Sequence, residues 1–524
     1  MTHTPVRQAI IRHRPQGRVA GRACRQFLMR CLRRRVLWFS ALVAACSVLM
    51  QWLIMPPPLY ADPYYVFRAA RLWPHIPLHR QPFVEVPHQV TRLGLLFTSR
   101  VSQELLGPGQ AAYVLTAAIG GCLFFVGCYL AVRTLFGDVV GLVATLLLLV
   151  HPFFTLASPF SSDVTWSAGT VLPDMPGAGL FSMGMAALIV AGRRKGRPQT
   201  YLLLTAGACF GSAYLFREFI AFMFVGIPIF LLLLRIPMRR IVVVAMPMLG
   251  LLAMALVHNA LVFGDPLAEL RAAADHGGAP AEPDSRLLAF NSFVRAMHDW
   301  HPLGILFLIA LALNVIGWAV TRDRRLALTL VWFVSLWVPI VLQSGLLDPN
   351  DISLRGWLVR YWFAVFPALM AGGLGTLALM ARGIRNIRIR ASLLAALTVI
   401  TGATYLVPAI KVIPAQPRDT AWNELRVWLG GRDDLPVIWA DNRLGQTLTF
   451  YTRSVWGERQ WHGKLRTFPQ EWPQLAPAAS HGPLLFTEWR GQEPPIAGGL
   501  RPSTQTGWRL LWRSSDDVLE LWAR

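Results

Sequence analysis

Four charged residues that adjoin apolar segments of membrane length have side chains suited to group-transfer chemistry. Asp62 follows the first apolar segment, and Asp174 directly precedes the fourth. Arg217 separates two short apolar runs, and Arg360 adjoins a late one. A carboxylate can take a proton from a hydroxyl group, and arginine can bind a phosphate through two parallel hydrogen bonds. These residue types therefore predict a site for a lipid-linked phosphate at a membrane surface.

The elements that must position these residues are long apolar blocks. Of the 524 residues, 54% are hydrophobic and only 15% are charged, and the mean hydropathy is +0.44. A bilayer-spanning helix needs ~20 consecutive apolar residues. The sequence predicts an α-helical polytopic membrane protein with about eleven transmembrane helices, at residues 36–55, 111–132, 139–157, 175–192, 201–216, 219–234, 241–262, 303–320, 326–344, 361–381 and 391–410.

The positive charge of the chain is distributed as in a membrane protein. A net charge of +22 would indicate nucleic acid binding in a soluble protein. Here residues 1–35 hold ten arginines and no acid, and most other arginines lie in short loops between apolar blocks. The positive-inside rule then predicts a cytoplasmic N-terminal tail anchored on anionic lipids, with no nucleic acid partner. The segment Val36–Met55 is too long for a signal-peptide core, and we expect it to be a retained first helix.

The acidic residues and two larger polar regions fall on the opposite, extracytoplasmic side. Residues 56–110 form a long first outer loop that is too polar to span a bilayer but apolar on one face, which predicts an interfacial helix pair presenting Asp62. Residues 411–524 contain no membrane-length run and predict a small α/β domain. Its helices are expected in RDTAWNELRVWLGG and LGQTLTFYT, and its strands in LPVIWAD, LLFTEW, WRLLWRSS and VLELWAR. All six cysteines lie in the tail or in apolar blocks, so no disulfide framework is expected.

The segment 201–234 permits two interpretations. Arg217-Glu218 joins two apolar runs directly, and each charge would cost roughly 2.5–3.5 kcal/mol if it faced lipid. The segment is therefore either two short helices that turn at the outer face or one broken helix beside a polar cavity.

These features favour a glycosyl transfer reaction at the outer face. The donor would be a sugar linked to a polyprenyl phosphate, and the acceptor would offer a hydroxyl group. An inverting displacement needs only one general base and cationic side chains that bind the leaving phosphate. We expect Asp62 to be the base and Arg217 and Arg360 to bind phosphate, with Asp174 or His88 shaping the acceptor site.

The order of these motifs resembles that of the GT-C superfamily of integral-membrane glycosyltransferases, of the type related to protein O-mannosyltransferases and lipid A aminoarabinose transferases. Those families have an acidic residue early in the first outer loop, a Y-x-x-x-A-like segment and a histidine-proline-type stretch ending in L-x-G. ADPYYVFRAARLW, VPHQV and SQELLG are similar. LPDMP resembles their D-x-P motif, GACFGSAYLFRE their G-x-x-x-G…R/K-E segment, and Arg360-Tyr361 their late R-Y. The resemblance covers residues 36–410 and implies a GT-C-like catalytic domain there.

The chain departs from this pattern at one position. Many relatives have two adjacent acids in the first outer loop, whereas Asp62 is followed by Pro63. A divalent cation is therefore left open as a cofactor, and the metal ligands are unknown.

Each candidate also has a structural interpretation. Asp62 or Asp174 could cap a helix, and Arg360 could extend to the interface as an anchor. His88 could be an ordinary loop histidine, and Arg217 and Glu218 could simply pair with each other. Glu218 and Tyr361, which follows Arg360, are the remaining substrate-binding candidates.

Two other classes of protein remain as alternatives. One is a multi-pass transporter or flippase of a lipid-linked or small solute, and the other is a non-catalytic cell-envelope assembly protein. Transporters usually place polar residues in mid-membrane and show internal repeats, whereas these charges gather at helix ends and no repeat is evident. The composition favours a bacterial inner or plasma membrane. The sequence leaves open the sugar, the acceptor (glycan, lipid or protein), the carrier length and the oligomeric state.

Overall fold

The computed structural model describes most of the helical part of the chain and much of its C-terminal region. The described residues are 35–51, 61–76, 87–155, 170–275, 279–280, 291–298, 303–346, 353–354, 356, 358–382, 392, 395–396, 399–404, 420–452, 461–468, 483–487, 504 and 507–523. Residues 1–42 and 43–524 form two compact units, and the candidate site lies within the second.

Helices account for the first two thirds of the chain. In chain order they are α1 (Arg35–Gln51), α2 (Ala61–Leu72), α3 (Pro87–Val90), α4 (Leu93–Leu106), α5 (Gln110–Phe136), α6 (Asp138–Val150), α7 (Pro152–Thr155), α8 (Asp174–Ala191), α9 (Arg197–Phe216), α10 (Ile227–Leu233), α11 (Ile241–Phe263), α12 (Ala268–Asp275), α13 (Ser292–His298), α14 (Ile305–Thr321), α15 (Arg324–Val341) and α16 (Phe366–Ala381). Shorter 3₁₀ and π turns cover Glu218–Gly226, Met238–Arg240, Leu342–Leu346 and Val359–Trp362. A two-residue strand pair joins β1 (Ala279–Pro280) to β2 (Ser353–Leu354).

Four of the described helical segments are long and apolar enough to cross a membrane, and five further apolar helices are shorter. Each of the first ten predicted spans overlaps a described helix, because uninterrupted apolar sequence favours the structure that satisfies its own backbone hydrogen bonds. The last predicted span, 391–410, falls largely outside the described residues. The count of about eleven spans therefore stays a prediction. The predicted first outer loop contains α2, α3 and α4 among its described residues, and its interfacial position stays a prediction.

Glycines let the central helices pack with their backbones in contact. A Cβ atom added at Gly127 of α5 would overlap the backbone of Gly179 in α8, and one added at Gly179 would overlap the backbone of α5 at Leu123. A Cβ at Gly184 would similarly meet the ring of Phe210 in α9. Small residues at helix interfaces allow this close approach in membranes. The frame α5–α8–α9 holds the start of α8 beside the end of α9.

The structure places a break in the helical segment 201–234 at Arg217. Helix α9 ends at Phe216, and Arg217 has an extended backbone with φ −144° and ψ 104°. A 3₁₀ segment then leads into α10. The segment is thus two short helical pieces separated at Arg217, and both charges lie at the junction.

The C-terminal region contains a five-stranded sheet with two helices. Its elements are α17 (Thr420–Leu429), β3 (Val437–Asp441), α18 (Asn442–Thr452), β4 (Lys464–Phe468), β5 (Leu484–Thr487), β6 (Arg509–Arg513) and β7 (Leu519–Ala523), and the strand order is β4-β3-β5-β7-β6. Strand β3 runs parallel to β4 and β5, whereas β7 is antiparallel to β5 and β6. The sequence predicted these elements except β4, where Lys464 and Arg466 interrupt the apolar pattern of an edge strand.

The sheet domain shares a hydrophobic core with the helical part. Phe450 of α18 makes edge-to-face contacts with Phe67 of α2 and Tyr113 of α5, at ring-centroid distances of 5.9 and 5.2 Å. Phe67 and Tyr113 also meet, at 5.5 Å, and the Tyr113 hydroxyl accepts a hydrogen bond from the backbone N–H of Val171. This ring junction (Phe67, Tyr113 and Phe450) fixes α2 against the chain that leads into α8.

Candidate functional site

The centre of the site is Asp174 in the first turn of α8, with a side chain that is 2% exposed. Arg217 Nε lies 3.0 Å from Asp174 Oδ1, and Arg360 Nε lies 4.0 Å from Oδ2. Gly177 makes this approach possible, because a Cβ atom there would lie 3.0 Å from Arg217 Cβ and 2.8 Å from Ile220. Two guanidinium groups from distant parts of the chain thus converge on one carboxylate.

Aromatic rings enclose the Arg217 guanidinium. Its Cζ lies 4.6 Å from the ring centroid of Phe219 and 5.2 Å from that of Tyr361, and the two rings meet edge to face at 5.8 Å. Such cation–π contacts hold the planar guanidinium in one orientation while the rings reduce its hydration. Tyr361 lies beside Arg360 in the 3₁₀ turn Val359–Trp362, so one short element supplies both side chains.

A second buried ion pair joins Arg92 to Glu218. Arg92 Nε and Nη2 donate to the two Glu218 carboxylate oxygens, both at 2.7 Å, and Nη1 donates to Gln89 Oε1. The Arg92 side chain is 1% exposed and that of Glu218 is 10% exposed. Glu218 also lies 3.4 Å from Arg217 Nη1. The two ion pairs therefore form one continuous network through Arg217.

A third acid, Glu269 of α12, borders this network. It is 2% exposed, and burial together with the neighbouring Glu218 charge raises the pKa of its carboxyl to about 8, against the opposing effect of Arg92, Tyr214 and Asn259. Asn259 in turn contacts His258, whose Nε2 accepts a hydrogen bond from the Trp73 indole at 2.8 Å. Near neutral pH the Glu269 carboxyl is therefore largely protonated.

The structure brings most of the predicted site residues together. Asp174, Arg217, Glu218, Arg360 and Tyr361 form one cluster at the start of α8. His88 is buried in α3, the helix that leads to Arg92.

Asp62 lies in the first turn of α2, and its side chain is outside the described residues. Its role as general base stays a prediction. The structural interpretation of Asp174 as a simple cap does not account for its two arginine neighbours.

Sequence reasoning missed Arg92 and Glu269. Arg92 directly precedes α4. Its position between the histidine-containing stretch VPHQV and an apolar helix is a sequence signal that could have identified it. Glu269 lies in AELRAAAD, which has the alternation of a solvated amphipathic helix, so no sequence signal marks it as buried.

The described residues do not fit a metal centre. No group of three or more histidine, cysteine, aspartate or glutamate side chains within the described part of the chain could hold a metal ion. Asp174 and Glu218 face guanidinium groups instead, whose positive charge opposes a cation.

Comparisons with known proteins bear on the class of this site. Residues 93–263, about a third of the chain, match the family model described as dolichyl-phosphate-mannose-protein mannosyltransferase. This segment contains Asp174, Arg217 and Glu218. A comparison with curated proteins finds no match.

The crystal structure of ArnT from Cupriavidus metallidurans in the apo state matches over nearly its whole length. The match covers 94% of this chain and 98% of ArnT, with a TM-score of 0.55 and 14% sequence identity. The chain has the fold of ArnT. The partial family match and this shared fold confirm the resemblance found in the sequence, and the apolar helices are those of a membrane-embedded protein.

An archaeal oligosaccharyltransferase is also similar to this chain. The Archaeoglobus fulgidus enzyme, tethered to an acceptor peptide containing the NVT sequon, matches with a TM-score of 0.44 and 14% identity over 79% of this chain. The same enzyme in complex with an inhibitory peptide and a dolichol-phosphate matches with a TM-score of 0.44 and 14% identity over 80% of this chain. The chain spans 63% and 64% of the length of these two structures.

Proposed function

We propose that the chain is a membrane glycosyltransferase that moves a sugar from a polyprenyl-phosphate donor to an acceptor hydroxyl group at the extracytoplasmic face. The acceptor oxygen attacks the anomeric carbon as the bond from that carbon to the phosphate oxygen breaks, so the configuration inverts. The hydroxyl proton passes to Asp62, and the bonding electrons leave with the polyprenyl phosphate.

Arg217 and Arg360 are the groups that we assign to the departing phosphate. Preorganised cations stabilise charge that develops on a leaving group without having to reorganise during the reaction. The Asp174 carboxylate holds both guanidinium groups at one place, and the rings of Phe219 and Tyr361 limit the motion of Arg217. His88 and Asp174 remain candidates for shaping the acceptor site.

The convergence of Arg217 and Arg360 on Asp174 is the observation that carries this proposal. The three residues come from separate chain segments and are buried at or next to the ends of helices. This arrangement suits a reaction on a lipid-linked phosphate at a membrane surface, whereas a permeation pathway usually places its polar residues near the bilayer midplane. The proposed orientation places the N-terminus in the cytoplasm and the sheet domain outside.

Binding and chemistry can be tested separately. Native mass spectrometry of the purified protein with added decaprenyl phosphate should show a bound complex, and the Arg360→Met variant should lose it. Arg322, an exposed arginine that packs on Trp318, provides the matched control, and Arg322→Met should bind like wild type.

The Asp62→Asn variant should retain lipid binding but lose transfer of sugar. Full transfer by this variant would refute the assignment of the base. Equal binding of decaprenyl phosphate by wild type and Arg360→Met would refute the phosphate site and favour a transporter or an assembly protein.

A further inference from the structure

Glu269 is a buried acid for which the proposed reaction has no role. Helix α12 packs against α3, α11 and the 3₁₀ segment Glu218–Gly226, and this packing places Glu269 beside the Arg92–Glu218 pair. Its Oε1 atom has no hydrogen-bond partner among the described side chains. A buried carboxylate without a full set of partners is costly, whereas a protonated carboxyl is tolerated.

The protonation state of Glu269 determines the net charge of the cluster. Three guanidinium groups oppose three carboxyl groups, and the members are Arg92, Arg217, Arg360, Asp174, Glu218 and Glu269. The cluster is neutral when Glu269 is ionised and carries one positive charge when Glu269 is protonated. A phosphodiester donor carries one negative charge, so it matches the protonated cluster.

We propose that Glu269 must hold a proton when the anionic phosphate of the donor is bound, and that it thereby sets the net charge of the phosphate site. This inference rests on the proposed function, because it assumes that the cluster binds a phosphate. The proton neutralises the carboxylate that would otherwise repel the incoming anion.

Among the described groups around Glu269, its own carboxyl is the one expected to change charge just above neutral pH. Arg92 and the buried His88 lie on the side of α3, and Glu218 faces Glu269 from the 3₁₀ segment. Tyr214 comes from α9 and Asn259 from α11, where His258 is the adjacent titratable residue. Histidine ordinarily titrates near pH 6.5, well below the range in which Glu269 changes charge.

The test uses farnesyl methyl phosphate, a diester whose single charge stays constant from about pH 6.5 to about pH 9.5. Its affinity for the wild-type protein should fall as pH rises above about 8, approaching tenfold per pH unit, because the free protein loses the proton that binding requires. The Glu269→Gln variant, which is permanently neutral, should bind with an affinity that is independent of pH. Glu104→Gln, at an exposed glutamate of α4, should retain the wild-type profile.

Calorimetry in two buffers of different ionisation enthalpy provides a second measurement on the wild type alone. Above about pH 8, binding of farnesyl methyl phosphate should take up close to one proton per ligand. Infrared difference spectra of the wild type should also show a protonated carboxyl signal that disappears over the same pH range. These measurements decide the matter even if Glu269→Gln does not fold.

The outcomes separate this inference from the proposed function. Binding without a pH profile or proton uptake would overturn the role of Glu269 and leave the phosphate site standing. A wild-type profile that persists in Glu269→Gln would likewise overturn it, because another group would then titrate. Failure of the diester to bind at any pH would overturn the proposed function together with this inference.

Discussion

Removal of Arg92 should destabilise the protein far more than removal of an exposed charge. Its guanidinium makes two hydrogen bonds of 2.7 Å to Glu218 and is 1% exposed. Loss of one partner of a buried ion pair typically costs about 3–5 kcal/mol, because the other charge stays buried without compensation. Arg217, at 3.4 Å from Glu218, partly compensates, so we expect Arg92→Met to cost about 3 kcal/mol.

A double-mutant cycle separates this interaction from the loss of packing. The variants are Arg92→Met, Glu218→Gln and the combination, and the free energy of unfolding is measured by denaturant titration in detergent micelles. The combined variant should be destabilised by less than the sum of the two single variants, by roughly 1–3 kcal/mol, since neither charge is then left unpaired. Glu104→Gln disrupts an exposed i,i+4 pair with Arg100 and should change stability by less than about 0.5 kcal/mol.

Strict additivity of the two single variants would refute this reasoning. So would a loss of stability in Glu104→Gln as large as that in Arg92→Met. Either result would mean that the contact between Arg92 and Glu218 contributes no more than an exposed pair does.

Three further predictions concern other parts of the structure. The pKa of Glu269 is raised to about 8 in the folded protein from a usual value near 4.5, so between these pH values the folded protein binds more protons than the unfolded chain. The free energy of unfolding should therefore fall as the pH rises through that range, by up to about 5 kcal/mol. Glu269→Gln should remove this dependence on pH. Phe450→Ala should cost about 3–5 kcal/mol in denaturant titrations, and Phe450→Leu much less, and equal effects would argue against the ring junction. Gly179→Ala should reduce the yield of folded protein in size-exclusion chromatography because its methyl group would overlap α5, whereas Gly250→Ala, with nothing within 4 Å, should not.

Much of the helical fold can be predicted from the sequence, because a chain in a bilayer has few ways to satisfy its backbone hydrogen bonds. An apolar run such as Ile241–Phe263 must satisfy its own backbone groups, and a helix is the simplest way to do so. Strand β4 was missed because an edge strand needs little apolar sequence. The sequence does not determine how the chain breaks at Arg217, because this depends on which buried side chains pair with Arg217 and Glu218.

The candidate site was predictable only in part, for a related reason. Asp174, Arg217 and Arg360 could be assigned to one side of the membrane from charge and span order alone. The pair between Arg92 and Glu218 joins residues 126 positions apart, and nothing in either local sequence specifies the partner. The burial of Glu269 likewise depends on the packing of α12, which its own polar sequence does not reveal.

The contact between α5 and α8 at Gly127 and Gly179 limits how the molecule can change shape. Helices whose backbones interlock cannot slide or rotate past each other without overlap, so these two move as one rigid body. Alternating access requires two bundles that rock against each other, and an interlocked pair cannot serve as their moving boundary. Any conformational change of the molecule should then leave α5 and α8 fixed relative to each other.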